Sequence, residues 1–315
     1  MEEAQLVDEI RRLKQEKRVA VLAHYYTAPQ VQRLADCVGD SLALAYEATR
    51  LTSEVVVVCG VHFMGETVKI LAPTKKVLLP DVNASCSLAE SCEYTAFKKF
   101  VEAHPHHTVV SYVNTSAAVK SLTDICCTSS NALAIVNSLP KSEKVLFAPD
   151  RNLASYIKAQ TGREDMLVWD GACHVHERFS VEKIVELKGQ HPNAKVLAHP
   201  ECKKPVLILA DEVGSTAALL KYSQLSTAKE FIVATEAGIL YQMQRSSPDK
   251  TFIPVPPTDS TCGCNDCEYM KLITLQKLYL SLQHEVHEVL IEEALRKKAE
   301  RSIVSMLDLS KKLGL

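Results

Sequence analysis

The sequence predicts an α/β protein of three similar three-layer αβα domains, with parallel sheets arranged around a pseudo-threefold axis. Three observations carry this expectation. Apolar, β-branched runs alternate with helix-length segments along the chain, the order expected of parallel strands buried on both faces. Marked positions recur at a nearly constant period: His24, Tyr112 and His199 are 88 and 87 residues apart, and Ser41, Ser129 and Ser215 are 88 and 86 apart. The chain has 315 residues, 47% of them hydrophobic, with no biased tract, so it can bury a substantial core.

The elements follow in order. The opening MEEAQLVDEIRRLKQEKR is a charged amphipathic helix pattern with no apolar h-region, and no stretch approaches the ~20 apolar residues of a membrane span. Each unit begins with a strand-like run that ends in polar residues: VAVLAHYY at 19–26, TVVSYVNT at 108–115 and AKVLAHPE at 194–201. A small polar cluster then opens a helix pattern: GDSLALAYEA from Gly39, CTSSNALAIV from Cys127 and GSTAALLKY from Gly214. A second apolar run follows, VVVVCGV from Val55, VLFAPD from Val145 and FIVATE from Phe231. A third short strand closes each unit, VLLPDVNASC, MLVWDGAC and TFIPVPPTDSTC. These ends divide the chain at 1–86, 87–173 and 174–315, the last unit carrying a Cys loop and the terminal helices.

Charge and cysteine content narrow the function. A formal charge of -2, with Lys and Arg scattered among Asp and Glu, offers no field for a polyanion, so nucleic acid is not an expected partner. Neither is a membrane, and a cytoplasmic protein is expected. Eleven cysteines are many for such a chain, and the odd count argues against a complete disulfide framework and for metal or redox chemistry. Cys37, Cys59, Cys126, Cys127 and Cys202 lie in or beside apolar segments and read as core.

The remaining chemistry gathers at the expected axis. One cysteine per unit follows a closing strand: Cys86, Cys173 and one of Cys262, Cys264 and Cys267. Three thiolates are one short of a fully protein-ligated four-Cys site, which leaves a coordination position open for Lewis-acid chemistry. The local C-x-C-x-x-C at 262–267 is also compatible with a structural zinc completed by a histidine, or with a redox pair. The helix starts at Asp40–Ser41, Thr128–Ser129 and Gly214–Thr216 are potential anion sites as well as ordinary caps. The strand ends supply His24 and Tyr26, Tyr112 and Asn114, and His199 and Glu201, which are hydrogen-bond donors and acid–base groups at positions typical of ligand sites in open α/β folds. The tract AHPHHT at 103–108 lies off the period and reads as a surface turn.

Taken in order, CGVHFMGETVKIL, AHYY, GDSL, PDVNASCSLA, SYVNTSAAVK, FAPDRNLASY, VWDGACHVHERF, AHPEC, VGST, TEAG and CEYMKLITL resemble the motifs of the quinolinate synthase family over nearly the entire chain. The resemblance implies a transferase of NAD biosynthesis, with three α/β domains around a 4Fe-4S cluster held by three cysteines and substrate on the fourth iron. The implied ligands are Cys86, Cys173 and Cys267, the last chosen by the string CEYMK, whereas repeat spacing alone favours Cys262. Glu268 stands where relatives often carry Pro. The implied reaction joins iminoaspartate to dihydroxyacetone phosphate, expels phosphate and two waters, and needs no net redox change. Tyr26, Tyr112 and Glu201 would be catalytic, and His24, Ser41, Asn114, Ser129, His199, Ser215 and Thr216 would hold substrate. An aspartate oxidase or dehydrogenase is the implied supplier of the imino acid.

Overall fold

The structure, a computed structural model, describes residues 2–258 and 265–315. Its strands are β1 (Val19–His24), β2 (Cys37–Gly39), β3 (Val55–Cys59), β4 (Lys76–Leu78), β5 (Thr108–Tyr112), β6 (Ile125–Cys127), β7 (Val145–Ala148), β8 (Leu167–Val168), β9 (Lys195–Ala198), β10 (Glu212–Val213), β11 (Glu230–Ala234) and β12 (Thr251–Pro254). They form three four-stranded parallel sheets of one topology, β2-β1-β3-β4, β6-β5-β7-β8 and β10-β9-β11-β12, each flanked by helices. The expected fold class is thus borne out. The unbroken apolar runs are central strands: Val56, Val57, Val58 and Cys59 of β3 are wholly buried, as strands covered on both faces require.

Register sets up the site. In each sheet the second strand in space is the first in sequence, so the chain order reverses around β1, β5 and β9, and a crevice opens at their C-terminal ends. His24 pairs with Gly39, and Tyr112 with Cys127, which puts the polar strand end beside the segment that opens the next helix.

Each unit is closed by one further repeated device. Asp36 Oδ2 accepts from Val21 N, Asp124 Oδ2 from Val109 N and Asp211 Oδ2 from Val196 N, all at 2.8 Å. Each aspartate's own amide donates back to the same residue's carbonyl, at 2.8, 3.0 and 2.8 Å. The loop leading to β2, β6 or β10 is thereby latched in both directions onto the central strand, whose amide would otherwise lack a partner there.

The terminal helices pack across the repeat. Helix Glu3–Glu16 buries Leu6, Ile10 and Leu13 and packs against helix Leu275–His284. Helix Glu293–Lys312 packs against β6, helix Ala117–Lys120 and helix His62–Leu71, burying Ile303 and Met306, and Arg296 Nη1 donates to the Ile70 carbonyl at 3.1 Å. Helix Leu275–His284 therefore lies on the first unit, and helix Glu293–Lys312 spans the first and second.

Two local expectations are corrected. The helix pattern from Cys127 starts only at Ala132: Asn131 Oδ1 accepts from Thr128 N at 2.6 Å, so the Thr-Ser-Ser-Asn side chains hold residues 128–131 in a turn instead of propagating a helix. Cys59, Cys126, Cys127 and Cys202 are core as expected, but Cys37, on edge strand β2, is only half buried. Residues 104–107 form the expected turn, and no helix among the described residues is long and apolar enough to cross a membrane.

Candidate active site

Beyond β1, β5 and β9 the chain turns sharply, and alternate residues of each turn face one shared cavity. The first turn contributes His24 and Tyr26, the second Tyr112 and Asn114, and the third His199 and Glu201. Glu201 is the hub. Its Oε1 accepts from the Tyr112 hydroxyl at 2.6 Å and lies 3.5 Å from His199 Nδ1, while its Oε2 lies 3.3 Å from His176 Nδ1. The His176 ring stacks on His199 with centroids 4.6 Å apart, and its Nε2 is hydrogen-bonded to Thr235 Oγ1 at 3.1 Å. Thr235 Oγ1 is 3.0 Å from the Tyr26 hydroxyl, which is 2.7 Å from Thr216 Oγ1. Two hydrogen-bonded segments, Tyr112–Glu201 and His176–Thr235–Tyr26–Thr216, therefore meet across the 3.3 Å contact between Glu201 Oε2 and His176 Nδ1 and together span all three units. Where the first turn meets the third unit, Gly238 allows the approach, since a Cβ there would lie 2.7 Å from Tyr26 Cα.

Burial decides the charge states. It pushes His24 and His199 down to about 3, in His24 with help from Lys271 and in His199 against the pull of Glu201. Burial also lifts the Tyr26 and Tyr112 phenols well above their ordinary range. On Glu201 burial acts upward, but His176, His199 and the Tyr112 hydrogen bond outweigh it and hold the carboxyl low. The Glu201 carboxylate therefore faces the neutral imidazoles of His24 and His199 and the protonated phenols of Tyr26 and Tyr112.

The thiols arrive by a second repeated construction. Cys86, Cys173 and Cys267 are the N-cap residues of three four-residue helices, Ser87–Glu90, His174–Glu177 and Glu268–Lys271, and all three line the cavity. None of the sulfurs closes a capping hydrogen bond. Burial raises Cys86 to about 12, Cys267 to about 11 and Cys173 well above the ordinary thiol, and amides of the helix starts, among them those of Ala89, His176 and Met270, oppose the rise. Two buried acids fasten two of these loops. Asp150 Oδ2 accepts from Cys173 N at 3.3 Å, and Glu236 Oε1 accepts from Cys267 N at 3.0 Å and from Lys271 Nζ at 2.7 Å. Lys271 also donates to the Tyr26 carbonyl at 2.8 Å. The residues after Cys86 and Cys173 bond to each other, Ser87 Oγ to His174 Nδ1 at 2.6 Å. Among the described residues, Cys173, His176 and Glu201 bring their ligand atoms within 4.8 Å of one another, close enough for a metal ion.

Of the residues that the resemblance assigned to catalysis, substrate or cluster, all but Ser215 line the cavity. Ser215 Oγ accepts from Ala218 N at 3.2 Å, so its hydroxyl is used as a helix cap, and its neighbour Thr216 faces inward. Asn114 Oδ1 is buried without a protein partner. Cys262 and Cys264 lie outside the described residues. The sequence reading missed His176, Thr235, Glu236, Asp150 and Lys271. Asp150 and Glu236 carried a usable signal, since each stands two residues beyond the end of β7 or β11.

Comparison with known proteins places the chain. The profile of a family described as Quinolinate synthetase A protein matches residues 8–308. The quinolinate synthase of Chloroherpeton thalassium is 52% identical over 306 residues, covering 97% of this chain and 95% of that protein. That of a Synechococcus species is 52% identical over 307 residues, covering 98% and 96%, and that of Nostoc punctiforme is 54% identical over 301 residues, covering 96% and 92%. A match of this length and identity, on a fold that delivers three cysteines to one cavity, means that the chain belongs to the Quinolinate synthetase A protein family of enzymes.

Proposed function

We propose that this chain is a quinolinate synthase that condenses iminoaspartate with dihydroxyacetone phosphate, with a 4Fe-4S cluster on Cys86, Cys173 and Cys267. The observation that carries the reading is the meeting, in one cavity, of one thiol from each unit with the cluster of polar side chains centred on Glu201. The donor set fits the group: three sulfurs on equivalent short helices, with amides that act against the effect of burial, suit a cluster and leave one iron without a protein ligand. When bound, the cluster supplies a Lewis acid for a substrate oxygen.

The atoms balance without an oxidant. One carbon–carbon and one carbon–nitrogen bond form, and phosphate and two waters leave. Glu201, kept ionised, takes a proton from carbon as the aromatic ring develops. Tyr26, hydrogen-bonded to Thr216 and Thr235, returns a proton to a departing hydroxyl. Tyr112 covers the site and orients Glu201 through its hydrogen bond. Neutral His24 and His199 donate to the carboxylates, and Ser41, Asn114, Ser129 and Thr216 hold the anionic groups, with Ser215 fixing the helix start that carries Thr216. The units divide at 1–86, 87–173 and 174–315. A cytoplasmic location, with an aspartate oxidase or dehydrogenase supplying the readily hydrolysed imino acid, completes the proposal.

The test is anaerobic purification with iron and sulfide analysis, a visible spectrum and an assay of quinolinate formation, alongside Cys86→Ala, Cys173→Ala and Cys267→Ala. A brown protein with about four irons that makes quinolinate, and that loses both properties in each variant, is the expected result. A colourless, zinc-containing, inactive protein would sink it. A second reading rests on the Cys173, His176 and Glu201 grouping: a single ion there predicts metal retained in Cys86→Ala and lost in His176→Ala.

A further inference from the structure

The three turns that face the cavity share a geometry whose supports differ. In each, the residue ending the strand run and the second one after it point inward: His24 and Tyr26, Tyr112 and Asn114, His199 and Glu201. The intervening residue and the next one turn their carbonyls away from the cavity in the first two units, and there a buried side chain collects them. Gln32 Nε2 donates to the carbonyls of Tyr25 and Thr27, both at 2.8 Å. Lys120 Nζ donates to the Val113 carbonyl at 2.7 Å and to that of Thr115. The two donors are pseudo-equivalent: each lies eight residues beyond His24 or Tyr112, on the short helix after the turn, and each grips the residues seven and five before it. In the third unit that position is Leu207, which has no donor, and the residue between His199 and Glu201 is Pro200, whose ring fixes φ.

We propose that Gln32 and Lys120 are positioning residues for the reaction, clamping from behind the two turns that carry Tyr26 and Tyr112 with Asn114, a task Pro200 performs in the third turn. A purely structural contact does not account for Lys120. It is wholly buried, its Nζ lies 5.5 Å from the centroid of the Phe63 ring, and among the described residues no carboxylate comes within ion-pair distance, Glu66 acting on it only at longer range. Burying an unpaired ammonium costs free energy that a methionine of similar length would not. The ammonium instead satisfies the Thr115 carbonyl and adds a second donor to the Val113 carbonyl, which already accepts from Thr115 N at 2.8 Å, so it ties both ends of the turn together. Gln32 is tied in turn to the third unit, since its Oε1 accepts from Gln242 Nε2 at 2.7 Å.

This inference rests on the function proposed above, and its test separates the two. The variants are Gln32→Met, Lys120→Met and Lys120→Gln, the last installing the first unit's own solution in the second. Each is assayed for kcat and KM, for iron content, and for amide hydrogen exchange of residues 25–27 and 113–115 by mass spectrometry. Gln32→Met, which frees Tyr26, is expected to lower kcat, and Lys120→Met, which frees Asn114, to raise KM, each by roughly 10- to 100-fold, with Lys120→Gln within about threefold of the parent. Exchange should quicken only in the turn whose clamp was removed, and iron content should not change. Folded, iron-loaded Met variants with parental kcat, KM and exchange would overturn the proposal, as would equal loss in Lys120→Gln and Lys120→Met. If Lys120→Met does not fold, Gln32→Met and Lys120→Gln decide it. If the parent makes no quinolinate, the functional reading fails, and exchange alone judges the clamps: selective quickening upholds them, unchanged exchange does not.

Discussion

Replacing the Glu201 carboxylate by an amide would remove the charge and set an N–H2 group either against the Tyr112 hydroxyl, which donates to the carboxylate, or 3.3 Å from His176 Nδ1. Glu201→Gln is therefore expected to lower quinolinate formation by about 10²- to 10⁴-fold while iron content stays at the parental value. Steady-state assay and iron analysis check this, and activity within tenfold of the parent would remove Glu201 from the chemistry. Tyr26→Phe breaks the link between Thr216 and Thr235 and should lower kcat with a stability cost of only about 1 kcal/mol, read by denaturant titration. At this scale the sequence was legible where the repeat operates, because inward-facing positions recur with their turns. His176 was illegible because the matching positions, three residues after Cys86 and Cys267, are Ala89 and Met270. A side chain without counterparts leaves no periodic trace.

Among the elements, the aspartate latches link loop conformation to strand order. Removing an acceptor, as in Asp36→Ala, Asp124→Ala or Asp211→Ala, strands the amide of Val21, Val109 or Val196 and should cost about 1–2 kcal/mol each. Because the latches sit in separate sheets, the costs should add within about 0.5 kcal/mol in urea titrations of the multiple variants. Asp211 adds a pH dependence. Burial raises its pKa, but Lys195 and the Val196 amide more than offset that, leaving the folded value below the ordinary one. A depressed folded pKa means stability that is present above the unfolded carboxylate range near 4 and is lost as pH falls through the folded value. Asp211→Asn should flatten the acid limb of a plot of melting temperature against pH, and an unchanged limb would remove Asp211 from the acid response. Strands were legible because β-branched runs have few alternatives. The helix start near Ser129 was not, because four consecutive hydrogen-bonding side chains at 128–131 compete with the backbone for the same partners.

For the whole molecule, helix Glu293–Lys312 matters most, because it lies on the first two units at once. Its Ile303 is fully buried in the apolar cluster that runs through both sheets. Ile303→Ala is expected to cost about 2–5 kcal/mol in a single cooperative transition followed by circular dichroism. A separate early transition of the second unit alone would show that the helix does not join them. The three-sheet architecture could be read from periodicity, whereas this packing could not. An amphipathic pattern reports that a helix has a buried face, and says nothing of which surface covers it.

The same helix has a consequence for how the protein is made. Each sheet closes within a short stretch of chain, so the first can form on the ribosome before the second has emerged. Cys267 and the helix that spans the first two units are made after all three sheets. Until then the nascent chain holds Cys86 and Cys173 without their third companion, and with the apolar groove for Ile303 and Met306 uncovered. Loading of the proposed three-thiol site therefore waits for Cys267, and the interval between the second unit's emergence and that of Cys267 is when the polypeptide is most exposed to aggregation and to oxidation of unshielded thiols.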